Sequence, residues 1–458
     1  MNTIKNIAIK PVLARAALVF GMFFGVVPAM AGIPIERWVQ ASGAEVYLVP
    51  SPAIPMLDVQ IDFDAGSRRD SPAQAGLASL MAAMTAKGVL AGGSAEPALD
   101  ENALSEAWAD LGASFGASAG GDRLSFSLRT LSYPDLLERA AQLAARQLGQ
   151  PAFPDAVWQS ERERLKASLR EANTRPATLA ARAYNRAVYG SHAYGQELTE
   201  TTLAAIGVAD MQALQRTLLP CRARVTLVGA VTRPQADALV RTLLARLPSG
   251  RSGGCPPLAP VPEVAALTQP TEQRIVFDSA QAHVLFGQPG FTRADPDFFA
   301  LTVGNYVLGG GGFVSRLTTE VREKRGLTYS VYSYFSPGLH AGAFTVGLQT
   351  RPDQAAAALQ LARDVVARFV AEGPTEAELR AAKDNLVGGF ALRIDTNRKL
   401  LDNVANIAAH RLPLDYLDTW TQQVEQVSVA QVRAAFARKL QPARMATVVL
   451  GATGPATN

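Results

Sequence analysis

DAGSRRDSPAQAGLASLMAAMTAKG, residues 64–88, contains the most informative helical pattern of the chain. From Leu77 to Met84 the apolar residues recur three and four positions apart, which is typical of one buried helical face, and Gly88 is placed to end the helix. The overlapping stretch LDVQIDFDAGS, residues 57–67, alternates polar and apolar side chains and therefore predicts a strand. The first half of the chain is thus expected to open with a strand, a turn and an amphipathic helix.

Two distant segments repeat one pattern. Residues 206–232, IGVADMQALQRTLLPCRARVTLVGAVT, and residues 427–454, VSVAQVRAAFARKLQPARMATVVLGATG, each predict an amphipathic helix, a proline and a β-branched strand closed by glycine. Pro220 and Pro442 occupy the same place in the two segments and are 222 residues apart. This long spacing indicates a duplicated domain.

A stretch rich in Pro, Gly and Ser, LPSGRSGGCPPLAPVPEVAALTQPTEQ at 247–273, predicts a linker between domains at 32–246 and 274–458. Ala-rich helical patterns at 134–148 and 353–373 are separate from the strands, without a regular βαβ alternation. The fold class predicted is α+β, with two similar halves joined by the linker.

The strand ending in Ala-Gly-Ser-Arg, the Gly-Leu-Ala helix start and the Lys-Gly helix end resemble the zinc helix of the pitrilysin/insulinase peptidase family. In that family the helix carries His-x-x-Glu-His, because two imidazoles at i and i+4 bind zinc and the carboxylate deprotonates the zinc water. The corresponding positions here are Ser79, Ala82 and Ala83, which supply neither ligands nor a base. The resemblance implies half of a clamshell-shaped peptidase with a degenerate zinc helix and no metal in this chain.

The family's third zinc ligand is a Glu on a later helix. The matching stretch here, ERERLKASLREANTRP at 161–176, places Ala167 or Ser168 at that position, or Glu163 or Glu171 if the register is shifted. Each of the four histidines, His192, His283, His340 and His410, lies at least 57 residues from the next, so no His-x-x-x-His pair exists. We expect structural histidines, and a zinc site assembled from distant histidines is the alternative.

The second half contains NYVLGGGGFVSRLTTEVREKRGLTYSVYSYF, residues 305–335, which resembles the C-terminal half of active family members. Its glycine run lacks the Gly-Lys-Ser/Thr ending of a phosphate-binding loop. Ser315 is predicted to cap a helix that ends at Gly326, before the strand TYSVYSYF. The helix is expected to bury three apolar side chains, Val314, Leu317 and Val321.

Arg322 lies in the last turn of that predicted helix, and Tyr329 lies on the following strand. In the family, an Arg and a Tyr with this spacing extend from the half without zinc across the cleft to the bound peptide. A guanidinium and a phenol can both donate hydrogen bonds to a carbonyl on which negative charge develops. The resemblance therefore implies that Arg322 and Tyr329 bind substrate; the alternative is a surface Arg and a core Tyr.

The family includes two-chain enzymes in which one subunit carries the zinc motif and the other carries the Arg/Tyr pair. This chain resembles the second kind. The resemblance implies a subunit that is inactive alone and that needs a zinc-bearing peptidase partner of the same family, with an unfolded peptide as substrate. The alternative is a non-enzymatic peptide-binding or structural protein that keeps the fold.

Residues 1–31 have the pattern of a secretory signal peptide: basic residues, the apolar stretch AALVFGMFFGVV at 16–27, Pro28 and the small-residue site Ala29-Met30-Ala31. We expect cleavage and export to a bacterial periplasm, which leaves no membrane segment; an uncleaved anchor is the alternative. Without the three basic residues of this segment the net charge falls from +4 to +1. The remaining chain has no Lys/Arg block, which excludes nucleic acid as an expected partner.

Cys221 and Cys255 are the two cysteines of the chain. In an oxidising compartment they can form one disulfide between the end of the first domain and the linker, although the sequence leaves their pairing open. Neither belongs to a Cys-x-x-Cys motif or lies beside a histidine, so a catalytic thiol is not expected.

Overall fold

The computed structural model describes residues 32–93, 96–248 and 255–451. The predicted signal peptide, residues 1–31, lies outside these ranges. Within them, none of the helices combines the length and the apolar character that crossing a membrane requires.

In chain order the strands are β1 (Glu36–Val39), β2 (Glu45–Pro50), β3 (Met56–Phe63), β4 (Gly88–Val89), β5 (Leu99–Asp100), β6 (Ser114–Ala119), β7 (Leu124–Leu131), β8 (Arg224–Gly229), β9 (Thr271–Ile275), β10 (Ala282–Phe291), β11 (Ser330–Phe335), β12 (Gly342–Thr350) and β13 (Ala446–Leu450). The α-helices are α1 (Leu77–Met84), α2 (Glu101–Asp110), α3 (Pro134–Gly149), α4 (Asp155–Ala172), α5 (Pro176–Tyr189), α6 (Glu200–Ala205), α7 (Val208–Gln215), α8 (Arg233–Leu244), α9 (Phe298–Asn305), α10 (Ala355–Glu372), α11 (Glu376–Gly388), α12 (Asn397–His410), α13 (Tyr416–Glu425) and α14 (Val429–Lys439).

The strands form two large sheets with one connectivity. The first sheet has the order β1-β2-β8-β3-β7-β6 and the second has the order β9-β13-β10-β12-β11. In each sheet one neighbouring pair is parallel, β2 with β8 and β9 with β13, and the other pairs are antiparallel. Apart from the extra strand β1, the second sheet repeats the first strand for strand, which is the duplication that the sequence predicts. It also leaves β6 and β11 as corresponding edge strands.

Each sheet packs its helices against one face to form a separate apolar core. The first core contains Phe63, Phe126 and Trp158, and the second contains Phe344 and Phe436, all 2% exposed or less. Large apolar side chains buried between a sheet and a helical layer supply most of the stabilisation of such a fold. The structure thus confirms the α+β prediction.

The two halves also exchange one helix each across their opposite sheet faces. From the first half, α5 lays Ala180, Ala183 and Tyr184 on β10 and β13 of the second sheet. From the second half, α12 lays Leu401 and Val404 on the first sheet. This exchange is not evident from the sequence, because helical periodicity reveals a buried face without revealing which sheet covers it. The residues from Ile33 onward accordingly form one compact unit.

The predicted linker is anchored to the first half. Cys255 is disulfide-bonded to Cys221, with their Cα atoms 5.8 Å apart. Arg222 then donates to the carbonyl oxygen of Pro256 at 3.0 Å, and Arg69 donates to that of Ala259 at 2.9 Å. Residues 255–270 contain no helix or strand, whereas residues 271–273, also predicted as linker, belong to β9.

Candidate functional site

Helix α1 is the predicted zinc helix, and its start is defined by the backbone of Gly76 and the side chain of Asp70. Gly76 has φ +104°, a left-handed conformation that favours glycine. The Asp70 carboxylate accepts hydrogen bonds from the backbone N–H groups of Gly76 and Ala78 at 3.0 and 3.2 Å. Burial raises the pKa of Asp70 to about 6, although these two donors act in the opposite direction.

The three positions of the degenerate motif lie on α1 as predicted, but their surroundings differ. Ser79 and Ala83, one turn apart, are exposed, whereas Ala82 is 3% exposed and packs with Met81 in the first core. A hydroxyl and two methyl groups offer none of the imidazole, thiolate or carboxylate ligands that zinc requires in proteins. The residues of α1 therefore do not fit a zinc ion.

One carboxylate on α4 that was not predicted from the sequence, that of Glu161, lies near the end of α1. Lys87, which follows α1, lies 3.2 Å from a carboxylate oxygen of Glu161 and 2.7 Å from one of Glu101. Hydrogen bonds from Arg164 and Lys87 lower the pKa of Glu161, although burial opposes them. The helical period could have identified Glu161, because it lies three residues after the buried Trp158.

The α4 positions named from the sequence instead face solvent: Ala167, Ser168, Glu163 and Glu171 are all exposed. Glu171 is ion-paired with Arg175, which lies directly before α5. Ser79 and Ala83 of α1 are exposed as well, so which of these four residues occupies the family's third ligand position stays a prediction. In the described ranges, no three His, Cys, Asp or Glu side chains are grouped so that they could hold a metal ion.

Two histidines that are distant in the sequence meet in the structure. The rings of His192 and His340 have centroids 5.4 Å apart, and both rings contact Tyr194. Nδ1 of His192 accepts the backbone N–H of Tyr194 at 3.0 Å, and its Nε2 lies 2.9 Å from the carbonyl oxygen of Pro262. His340 Nδ1 lies 3.1 Å from Glu263. These contacts attach the segment after Cys255 to both halves and give the two histidines structural roles.

In the second half, the segment 312–326 forms a tight turn followed by a short helix. Ser315 is buried, and its Oγ accepts the backbone N–H of Thr318 at 3.5 Å, in agreement with the predicted cap. The helix contains a π-helical stretch, Thr318–Glu323, and ends at Gly326, which has φ +60° and donates its N–H to the carbonyl oxygen of Arg322 at 2.8 Å.

One of the three side chains predicted to be buried by this helix is not. Leu317 and Val321 are fully buried, but Val314 is 73% exposed. The reason is local: Val314 belongs to a separate 3₁₀ turn, Gly312–Val314, that ends before Ser315, so it does not continue the helical face.

Arg322 and Tyr329 lie at the two ends of the turn between this helix and β11. Arg322 is partly exposed, and its guanidinium carbon lies 4.8 Å from the centroid of the Phe313 ring. Tyr329 is 79% exposed immediately before β11. The alternative interpretation of Tyr329 as a core residue is therefore wrong.

Strand β11, which begins directly after Tyr329, adds further aromatic surface. It is an edge strand, so one side of its backbone is not paired within the sheet. Tyr332 and Tyr334 stack on each other with centroids 5.9 Å apart and are 42% and 44% exposed. An open strand edge beside exposed tyrosines offers an extended peptide both backbone hydrogen bonds and side-chain contacts.

The two halves of the chain share one α+β fold. The first half contains a helix with the framework of a zinc helix but without its ligands, and the second half contains an Arg/Tyr pair. Together these features define a clamshell half of the zinc-peptidase type. The chain belongs to peptidase family M16, the insulinase family. Residues 46–202 match the model described as insulinase (peptidase family M16), and residues 212–386 match the model described as the peptidase M16 inactive domain.

Individual relatives agree with this assignment. The crystal structure of a peptidase M16 inactive domain from Pseudomonas fluorescens is 34% identical, has a TM-score of 0.85, and covers 93% of this chain and 99% of that one. An uncharacterised zinc protease of Mycobacterium leprae is 32% identical over 58% of this chain and 59% of its own length. A Helicobacter pylori protein named non-peptidase homolog YmxG is 35% identical over 35% of this chain and 38% of its own length.

The match to the curated relatives is partial, because the aligned region spans about three fifths of the mycobacterial protein. The second half thus matches a domain described as inactive, and among the relatives some are named zinc protease and one is named a non-peptidase homolog.

Proposed function

We propose that this chain is the non-catalytic subunit of a periplasmic heteromeric zinc metallopeptidase. A zinc-bearing subunit of the same family supplies the metal and the base, and this chain contributes contacts to the peptide and to the transition state. The observation that carries the proposal is the contrast between the degenerate zinc motif of α1 and the Arg/Tyr pair of the second half. Ser79, Ala82 and Ala83 cannot perform the chemistry, whereas Arg322 and Tyr329 remain accessible as hydrogen-bond donors.

The proposed roles follow from the chemistry of the two side chains. Peptide hydrolysis places negative charge on the carbonyl oxygen, and pre-oriented donors stabilise that charge more than they stabilise the ground state. Tyr329 donates one O–H, and Arg322 adds a permanent positive charge with several N–H donors. Tyr332 and Tyr334 beside them give an extended, unfolded peptide aromatic surface along the open edge of β11.

The proposed compartment rests on the sequence of residues 1–31 and on the disulfide. A cleaved signal peptide delivers the chain to the periplasm, and that compartment is oxidising enough to keep Cys221 and Cys255 paired.

Reconstitution with the zinc-bearing partner tests the proposal. Tyr329→Phe keeps the ring and removes one donor, so folding and subunit association should survive while kcat for one peptide falls about 100-fold. Arg322→Ala should lower kcat and also raise KM, because the guanidinium binds ground-state peptide as well. Tyr133→Phe is the matched control, since it removes an exposed phenol from the first half. Wild-type kcat and KM in both Tyr329→Phe and Arg322→Ala would contradict the proposal and favour the non-enzymatic binding protein.

The isolated mature chain provides a second test. Because α1 offers no ligands, the purified chain should contain no stoichiometric zinc and should cleave no unfolded peptide. Elemental analysis that finds about one zinc per chain, together with chelator-sensitive cleavage, would show that the chain is a self-sufficient peptidase.

A further inference from the structure

Phe313 lies at the tip of the turn before the Arg322 helix. Its aromatic side chain is not part of the apolar core there. Its side chain is 67% exposed, and the adjacent Val314 is 73% exposed. Leaving a phenylalanine ring in water forfeits most of the stabilisation that burial would provide. Among the residues that the structure describes, the cation that lies over this ring is the guanidinium of Arg322, 4.8 Å from the ring centroid, which is within the range of a cation–π interaction.

The turn that carries Phe313 is supported by a hydrogen bond and by close packing against β11. Ser315, which is fully buried, donates its Oγ–H to the carbonyl oxygen of Gly312 at 2.8 Å. The preceding glycines allow the chain to approach β11 closely, since a Cβ at Gly309 would lie 2.4 Å from Oγ of Ser333. The exposed ring therefore projects from an ordered support and can hold a partner in one orientation.

A second arginine of the same segment shows how a purely structural guanidinium is held. Arg316 also lies over an aromatic ring, that of Phe369 at 5.0 Å, but it donates two hydrogen bonds to the Glu378 carboxylate at 2.6 and 2.7 Å. That carboxylate neutralises its charge and occupies its donors. Glu320, which lies on the helix of Arg322, pairs instead with Lys324.

We propose that Phe313 is a positioning residue that orients the guanidinium of Arg322 toward bound peptide. An aromatic face holds a guanidinium by its plane and leaves the N–H groups at its edge available to a carbonyl oxygen, which a carboxylate partner would not do. This inference rests on the proposed function, since it assigns Phe313 an effect only through Arg322.

The test is an aromatic series measured in the complex with the zinc-bearing partner, with one internally quenched unfolded peptide as the probe. Phe313→Leu keeps an apolar side chain and removes the π face. It should raise KM about two- to fivefold, the range expected for losing an exposed cation–π contact. Phe313→Tyr should restore wild-type kinetics, and Val314→Ala, the neighbouring exposed apolar residue, should leave kcat and KM unchanged.

The double variant with Arg322→Ala separates positioning from direct contact. If Phe313 acts through Arg322, Phe313→Leu should have no further effect in the Arg322→Ala background. An additive effect there, or failure of Phe313→Tyr to restore KM, would overturn the inference. If Phe313→Leu has the wild-type KM while Arg322→Ala is impaired, this inference alone is overturned. If Arg322→Ala has wild-type kinetics, the proposed function and this inference are overturned together.

Discussion

Helix α1 in the first half and the segment 312–335 in the second half differ in what their side chains do for the fold. In α1 the residues that pack the core, such as Met81, are fully buried, and the positions of the degenerate motif are small. In the segment 312–335, Phe313 and Tyr329 are large, aromatic and mostly exposed. Helix α1 therefore serves the packing of the core, whereas the exposed aromatic and cationic groups of the second half point to a bound partner.

The first half is tied to the linker by a disulfide that has no counterpart in the second half. Its removal is expected to cause the largest loss of stability. Cys221 follows Pro220, and the corresponding residue after Pro442 in the second half is Ala443. A closed loop with a sequence separation of 34 restricts the unfolded chain, and entropy models give about 3–4 kcal/mol of stabilisation. Cys221→Ser/Cys255→Ser should lower the free energy of unfolding by about this amount, as measured by denaturant titration.

The same prediction requires that the two cysteines are oxidised in exported protein. Alkylation of denatured, unreduced protein should label neither thiol. Two labelled thiols would contradict it and would leave the linker attached by its hydrogen bonds, such as those of Arg222, Arg69 and His192.

A somewhat smaller loss is expected from the buried face of α1. Met81→Ala removes a fully buried side chain and should lower the free energy of unfolding by about 3 kcal/mol. Ser79→Ala on the exposed face should change it by less than about 0.5 kcal/mol. Leu301→Ala, a fully buried residue of α9, is the matched control in the second half.

Because α5 and α12 are exchanged between the halves, Met81→Ala and Leu301→Ala should shift one common unfolding transition. Two separate transitions, each moved by only one of these variants, would show that the halves unfold independently and that the exchanged helices do not couple them.

The sequence predicts well those features that local pattern determines. The observed α10, Ala355–Glu372, lies within the predicted 353–373, and β3, Met56–Phe63, begins one residue before the strand predicted at 57–67. Gly326 ends its helix as expected, because a left-handed residue is needed there. The duplicated helix-Pro-strand pattern predicted a duplicated domain, and the two large sheets share one connectivity.

The sequence does not reveal contacts that depend on tertiary packing. The exchange of α5 and α12 and the meeting of His192 with His340 join residues that no local pattern connects. Glu161 was missed for a different reason: the register on α4 was taken from the resemblance, although the buried Trp158 marks the inward face. The roles of Arg322 and Tyr329 remain predictions.

The smallest expected effect is a pH dependence at the end of α12, where the second half packs on the first sheet. Burial, together with the positive charges of Arg293, Arg123 and Arg224, lowers the pKa of His410 to about 4, and the charge of Asp122 acts in the opposite direction. Since the unfolded chain protonates this imidazole near pH 6.5, the folded state binds fewer protons between these two values. Stability is therefore unaffected above pH 7 and decreases as the pH falls from about 6.5 toward 4.

For a partly exposed group the loss at pH 5 should be about 1–2 kcal/mol relative to pH 7. His410→Gln removes the titrating group while keeping a polar side chain, so the variant should lose less stability than the wild type over this interval. Denaturant unfolding of both proteins at pH 7 and pH 5 isolates the contribution, because all other titrating groups are common to the pair. An equal pH dependence in the two proteins would mean that His410 can accept a proton without disturbing α12, and the packing between the halves would then be insensitive to acid at this helix.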